Sequence, residues 1–319
     1  MRNSRQVLRW VRERWLEIVL CLGLVGIMMW AASIARGFMP QPQATPTPLV
    51  RAGEFSGANA LSYVNDQLAF GPRSTGSEGA RKTADYILDQ LAESGWNTEV
   101  QEFMYRGVLG RNIIAKAGTG PIVLIGAHYD TRKKADRDPD PNRREEPVPG
   151  ANDGASGVAV LLELARTLDT AKLSNEVWLV FFDAEDNGSL DGWPFSVGSE
   201  YMAAHLSTAP AMVVIVDMIG DADQGIYKER NSTPELQDQI WAVAADLGYE
   251  EQFIPEYKWS ITDDHTPFLQ RGYPAVDLID FDYPFWHTTE DTADKISAGS
   301  LERVGKVLQA LLKEDPTKP

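Results

Sequence analysis

The feature that most constrains the fold of this chain is a series of short apolar runs that alternate with helix-like segments. The run "VWLVFF" (177–182) is apolar on both faces, which is typical of a central strand covered by helices on either side. Six segments read as strands, at 98–103, 111–117, 121–130, 176–185, 211–220 and 274–280. Seven segments have a helical pattern, at 57–70, 77–94, 155–169, 196–206, 233–247, 264–271 and 299–313. The alternation predicts a single α/β domain with a mixed, mostly parallel central sheet covered by helices on both faces.

The first 52 residues differ from the rest of the chain. A basic segment (1–17) with five arginines precedes an uncharged apolar run (18–35), and a proline-rich linker (36–52) follows. An eighteen-residue helix is about 27 Å long, enough to cross the hydrocarbon core of a bilayer. Because most arginines precede the run, the positive-inside rule places the N-terminus in the cytoplasm. We predict that residues 18–35 are a single-pass transmembrane anchor, with the domain at 53–314 on the extracytoplasmic side of the cell membrane. If the run is instead a cleaved signal peptide, the domain is secreted.

Charge and cysteine content exclude two classes of protein. The one cysteine, Cys21, lies in the apolar run, so the domain at 53–314 is not a disulfide scaffold. Beyond the first fifty residues, 24 basic and 44 acidic residues remain, a net charge of −20. Such a surface repels phosphate backbones, so we expect no nucleic-acid partner.

Acidic residues and histidines collect where the predicted strands end. Ligands of open α/β sheets bind beyond the carboxyl ends of the strands, so we expect these segments to converge on one edge. Taken singly, each motif also has a structural explanation: a packed histidine, a helix cap, or a solvated acidic loop. The candidates are His128 and Asp130 in "GAHYD", Asp153 in "PGANDGASG", Glu185 and Asp186 in "FFDAEDNG", Asp217 in "VVIVDMIG", Asp263 and Asp264 in "TDDH", and His287 in "WHTTED".

Together these residue types favour a metal site. Carboxylates mixed with neutral imidazoles, without cysteine, suit zinc or a similar divalent ion. Asp130 stands two residues after His128 on a strand end and is placed to orient that imidazole. The charged, proline-rich stretch 131–150 is a surface loop, either a functional lid or a solvated insertion.

The order and spacing of these residues resemble those of the zinc aminopeptidases, the co-catalytic exopeptidases of peptidase family twenty-eight. The resemblance extends from "AHYD" to "WHTTEDT". It implies a first zinc on His128 and Asp217 and a second on Asp186 and His287. Asp153 would bridge the two ions.

The same resemblance implies that Glu185 is the general base and that a cis peptide bond joins Asp153 to Gly154. Asp186 departs from the pattern, because many relatives carry Glu there and an aspartate reaches about one methylene less.

Bacterial glutaminyl cyclases share this fold, and the chain resembles them more closely, through "GANDGASGVAVLLELAR", "TDDHTPFLQRGYPAV" and Trp286 directly before the last histidine. That resemblance implies one zinc, on Asp153, Asp186 and His287. Glu185 would shuttle a proton, assisted by Asp217 and by Asp263 or Asp264. The aromatic residues expected to wall the substrate pocket are Tyr283, Phe285, Trp286 and Trp193.

Three functions therefore stand side by side. The chain is expected to be a one-zinc glutaminyl-peptide cyclotransferase that converts N-terminal glutamine to pyroglutamate. The first alternative is a two-zinc aminopeptidase, and the second is a catalytically inactive, membrane-anchored binding domain of the same fold. The partners implied by the two enzymes are peptide or protein N-termini.

Overall fold

The computed structural model describes residues 53–313 and residue 317. The predicted basic segment, transmembrane run and linker lie outside the described residues. Among the helices that the structure describes, none is long and apolar enough to cross a membrane.

Residues 53–313 form seven α-helices and eight β-strands. The helices are α1 (Gly57–Ala69), α2 (Glu78–Glu93), α3 (Ala155–Thr167), α4 (Val197–His205), α5 (Pro234–Asp246), α6 (Thr266–Gln270) and α7 (Ala298–Lys313). The strands are β1 (Asn97–Tyr105), β2 (Val108–Ala117), β3 (Ile122–His128), β4 (Glu176–Phe182), β5 (Met212–Asp217), β6 (Ile226–Lys228), β7 (Phe253–Tyr257) and β8 (Ala275–Ile279). Each predicted helix and strand is present; the sequence did not predict β6 and β7.

The main sheet has six strands in the order β1-β2-β4-β3-β5-β8. β2 is antiparallel to both β1 and β4, whereas β4, β3, β5 and β8 are parallel to one another. The predicted mixed α/β sheet is therefore confirmed. β6 and β7 pair separately as a small parallel sheet. The carboxyl ends of the four parallel strands meet at one edge.

The parallel strands lie at the centre of the domain because both of their faces are apolar. β3, β5 and β8 are buried along their whole length. Alternate side chains enter two cores, so that Ile125 packs with α1, α3 and α7 on one face. Leu124 packs with α4 and α6 on the other face.

Helix α3 approaches the sheet very closely at Gly157. A Cβ atom at this position would lie 2.5 Å from the carbonyl oxygen of Val216 and 2.8 Å from the Cβ of Ala127. Only glycine allows this approach, which places the start of α3, and the residues just before it, against the ends of β3 and β5.

We expect Gly157→Ala to lower the free energy of unfolding by about 1–3 kcal/mol, because the helix and strands must move apart. Gly299→Ala, near the start of α7, is the matched control, since its Cβ would meet nothing closer than 3.6 Å. Alanine is the better helix former, so the control should be neutral or slightly stabilising. Chemical denaturation measures both; equal unfolding free energies would show that α3 is not held this closely.

Candidate metal centre

The segments that follow four parallel strands supply the predicted ligands. His128 ends β3 and Asp217 ends β5, while Glu185 and Asp186 occupy the turn after β4. His287 lies in the loop after β8. The structure thus brings together side chains that are up to 159 residues apart in the sequence.

The first group consists of His128, Asp153 and Asp217. The Nε2 atom of His128 lies 3.2 Å from Oδ1 of Asp153 and 3.1 Å from Oδ1 of Asp217. Its Nδ1 atom lies 3.1 Å from the carbonyl oxygen of Asp130. A carbonyl oxygen only accepts hydrogen bonds, so Nδ1 carries a proton and Nε2 faces the two carboxylates.

The second group consists of Asp153, Asp186 and His287. The Nε2 atom of His287 lies 3.0 Å from Oδ1 of Asp186 and 3.7 Å from Oδ2 of Asp153. Asp153 therefore belongs to both groups, with one carboxylate oxygen directed to each histidine. This is the arrangement expected of a bridging ligand.

The donor set fits zinc. Ligand atoms about 2.1 Å from a tetrahedral ion lie about 3.4 Å from one another, close to the separations in both groups. Within the described part of the chain, Oδ2 of Asp153 and Oδ2 of Asp186 are buried without a hydrogen-bond partner. Buried carboxylates this close repel one another unless a cation or a shared proton lies between them.

Asp130 holds the turn that carries Glu185 and Asp186. Its carboxylate accepts hydrogen bonds from the backbone N–H groups of Glu185, at 2.9 Å, and Asp186, at 3.2 Å. The predicted contact with His128 is made by the backbone carbonyl of Asp130, while its carboxylate is 3.7 Å from Nδ1. Asp130 thus orients both the imidazole and the ligand turn.

Burial has the largest effect on the pKa values of Glu185 and of the acidic residues near it. It raises the pKa of Glu185 well above its usual value, and the nearby Asp263 adds to the effect. Burial also raises the pKa of Asp217 to about 7, although His128 beside it acts in the opposite direction. Asp263 lines the cavity beside these groups, whereas Asp264 is fully buried and does not line it. Asp263 is therefore the acid of this pair that faces the site.

A further buried group lies behind Asp263 and was not predicted. The Nε2 atom of His265 is 3.4 Å from Oε2 of Glu229, and its Nδ1 atom is 3.7 Å from Oδ2 of Asp277. These side chains are at most 1% exposed. A signal for this group was present in the sequence, because Asp277 interrupts the otherwise apolar run "AVDLI".

The ligand groups open into a cavity of about 470 Å³. Of the four predicted wall residues, only Trp286 lines it; the aromatic partners that the structure adds are Phe195 and Phe281. Trp286 stands directly against His287, with ring centroids 3.9 Å apart. Phe195 stacks on the same imidazole from 6.5 Å.

The other three predicted wall residues lie elsewhere. The hydroxyl of Tyr283 donates to Asp291 at 2.7 Å, and the Asp291 carboxylate accepts from the backbone N–H of Asp153 at 3.1 Å. Tyr283 therefore supports the loop of the bridging ligand. Phe285 packs on Tyr283, and Trp193 packs on Tyr105. Three of the selected residues are neighbours of His287 in the sequence, and the fourth, Trp193, comes from the distant loop in which Phe195, two residues later, reaches the cavity instead.

The charged loop 131–150 is fastened to the segment that carries His287. The Asp138 carboxylate, which is 1% exposed, accepts from the backbone N–H of Thr289 at 3.0 Å. The guanidinium of Arg137 lies 4.1 Å from the centre of the Trp286 ring, at cation–π distance. Of the two interpretations left open by the sequence, a freely solvated insertion does not fit these contacts.

The predicted cis peptide bond between Asp153 and Gly154 is not found, since the described residues contain no cis peptide. The chain turns here through the positive φ of Gly154, 93°. A Cβ at this position would lie 2.9 Å from the carbonyl oxygens of both His128 and Asp130. Glycine therefore allows both the positive φ and the close approach of the two carbonyl oxygens at this position.

An α/β sheet with two zinc-type ligand groups sharing one aspartate at its carboxyl edge defines a class of metal-dependent enzymes. Residues 112–312 match the model of peptidase family M28, and the chain belongs to this family. It is 26% identical over 286 aligned residues to the glutaminyl-peptide cyclotransferase of Bos taurus, covering 76% of this chain and 77% of the bovine one.

Solved structures of two kinds resemble the fold. The glutaminyl cyclase of Porphyromonas gingivalis is 33% identical with a TM-score of 0.77, covering 82% of this chain and 99% of that one. A Zn-dependent exopeptidase from Parabacteroides distasonis is 30% identical, also with a TM-score of 0.77, over 82% and 99% of the two chains. The chain is thus an enzyme of the glutaminyl cyclase or zinc exopeptidase kind, and zinc is its cofactor.

We expect Asp130→Asn to weaken zinc binding about 10- to 100-fold, because an amide cannot accept from both N–H groups of the ligand turn. Competition with a chelator measures the affinity. Asp66→Asn is the matched control, since Asp66 lies on the surface in α1, where it accepts a hydrogen bond from Tyr86. An unchanged zinc affinity for Asp130→Asn would show that the turn does not depend on this carboxylate.

Proposed function

We propose that the protein is a zinc-dependent glutaminyl-peptide cyclotransferase, which converts the N-terminal glutamine of a peptide to pyroglutamate and releases ammonia. The observation that carries the proposal is the aromatic slot beside the second ligand group. Trp286, Phe281 and Phe195 line it, and Glu185 and Asp263 face the same space. An apolar slot with a few convergent polar groups suits one small side chain bearing a carbonyl group.

The reaction needs little beyond orientation and proton transfer. The α-amine of the substrate attacks the γ-carbonyl carbon of its own side chain, a five-membered ring closes, and ammonia leaves. Because nucleophile and electrophile belong to one residue, holding the side chain in a bent conformation supplies much of the acceleration. Zinc held by Asp153, Asp186 and His287 would supply Lewis-acid polarisation of that carbonyl.

Glu185 is placed to move the proton. Its carboxyl lines the cavity, accepts a hydrogen bond from Ser196 at 3.3 Å, and is not part of either ligand group. It takes a proton from the attacking amine and delivers it to the departing nitrogen. The nearby Asp263 raises its proton affinity, and we propose that Asp263 and Asp217 keep the exchanged proton within the site.

The protonation of Nε2 in His128 determines whether the site can hold two metal ions or one. Its Nδ1 proton is directed to the Asp130 carbonyl, so Nε2 presents either a lone pair or a second proton to Asp153 and Asp217. Burial lowers the pKa of His128, but the surrounding carboxylates outweigh it and raise the pKa well above the usual value. We propose that in the cyclase a second proton on His128, held at Nε2 between Asp153 and Asp217, takes the place of a first zinc ion.

A zinc aminopeptidase is the second candidate, and the geometry of the first ligand group favours it. That group has the same donor types as the second and similar separations, so a lone pair on His128 would allow a second zinc. Asp153 would then help to hold both ions, which would supply an activated water molecule, and Glu185 would take the proton of that water. The two candidates differ in substrate and in product.

The purified full chain should release ammonia and form pyroglutamate from glutaminyl peptides, and it should leave aminoacyl-anilides intact. The reason is that the slot positions the substrate's own amine and not a water molecule. Ammonia assay and mass spectrometry follow the first reaction and absorbance the second. Anilide cleavage without ammonia release would contradict the cyclase and support the aminopeptidase.

Glu185→Gln should lower kcat by about 10²- to 10⁴-fold, because the amide cannot carry the proton. Zinc content should stay at the native level, since Glu185 belongs to neither ligand group. The matched control is Glu250→Gln, an exposed glutamate outside the cavity. Native turnover in Glu185→Gln would refute the proposed proton carrier, and loss of zinc would make it a ligand instead.

A further inference from the structure

A second cavity of about 390 Å³ adjoins the catalytic cavity. It lies between the end of β1 and helix α4, and the two cavities have Pro194, Phe195 and Thr262 in common. A chain held by its first residue in the catalytic cavity therefore has this groove within reach of the residues that follow.

The side of the groove is a stack of rings. Phe103 and Tyr201 have ring centroids 5.3 Å apart, and Tyr201 and His205 have theirs 4.1 Å apart. Met104 stands at the rim with 63% of its surface exposed. Stacked rings are already ordered, so an apolar ligand would bind to them at little entropic cost.

The charges of the groove disfavour an acidic ligand. Among the described residues that line it, none is a lysine or an arginine. The acidic residue there, Glu200, is paired with Arg271 at 2.7 Å. A carboxylate in the ligand would contact aromatic side chains and the carboxylate of Glu200. An apolar side chain brings no charge into the groove and is therefore the more favourable ligand.

We propose that this groove binds a large apolar or aromatic side chain located one or two residues behind the N-terminal residue of the substrate. It thereby makes the enzyme selective for peptides that are apolar next to their processed end. The proposal rests on the action on peptide N-termini argued above. Its basis is that the groove adjoins the catalytic cavity, contains a stack of rings, and has no lysine or arginine among its described lining residues to pair with an acidic side chain.

Three amidated peptides test the selectivity: Gln-Ala-Ala, Gln-Phe-Ala and Gln-Ala-Phe. For the full chain, the better phenylalanine peptide should have a kcat/KM about tenfold above that of Gln-Ala-Ala, since the groove would bury most of one aromatic side chain. The position of the phenylalanine that gives the gain identifies the residue held in the groove.

Ala204→Glu tests the location. Ala204 is exposed on α4 and lines the groove, so a glutamate there disturbs no core packing but places a carboxylate in the path of the phenylalanine ring. The ratio of kcat/KM between the phenylalanine and alanine peptides should fall to about one. Ala242→Glu, an exposed alanine on α5 that lines neither cavity, is the matched control and should keep the native ratio.

Equal kcat/KM values for the three peptides, or a phenylalanine preference that survives Ala204→Glu, would overturn the proposal. Absence of turnover on all three peptides would instead contradict the cyclase activity. The groove is then tested by hydrolysis of Leu-Ala-Ala, Leu-Phe-Ala and Leu-Ala-Phe amides, with the same two variants and the same expected ratios.

Discussion

The site depends on one shared carboxylate. Asp153 directs Oδ1 to His128 and Oδ2 to His287, so both ligand groups are built around a single buried aspartate. The fold supplies its position, because α3 begins just after it and is held against β3 and β5 at Gly157. Crowding several carboxylates here is unfavourable unless a cation is bound, so the folded domain is arranged in advance for zinc.

Buried aspartates that do not belong to the ligand groups fix the loops that carry the ligands. Asp291 accepts from the backbone N–H groups of residues 152 and 153, and Asp130 accepts from those of 185 and 186. Asp138 accepts from the N–H of residue 289, two positions after His287. In each case a carboxylate accepts hydrogen bonds from backbone N–H groups that have no partner in a helix or strand. Part of the strong negative charge of the domain therefore has a structural role inside the protein.

Much of this architecture follows from the sequence, and the exceptions have physical causes. Strands such as "VWLVFF" were recognisable because both of their faces are buried, and the ligands were recognisable because they stand where such runs end. Phe195 was missed because its loop has no periodic pattern that would show which of its aromatic residues, Trp193 or Phe195, faces the cavity. The group around His265 depends on contacts between β8 and residues near 229, which spacing does not reveal. The expected cis bond came from resemblance alone, and glycine provides the turn instead.

The central claim is that a proton on His128 replaces a metal ion in the first ligand group, leaving one zinc in the second. The most direct test is the zinc content of the active full chain, measured by native mass spectrometry during titration with zinc while cyclase turnover is followed. The account predicts that activity reaches its maximum at one zinc per chain and that a second ion adds nothing. Activity that requires two zinc ions per chain would contradict it.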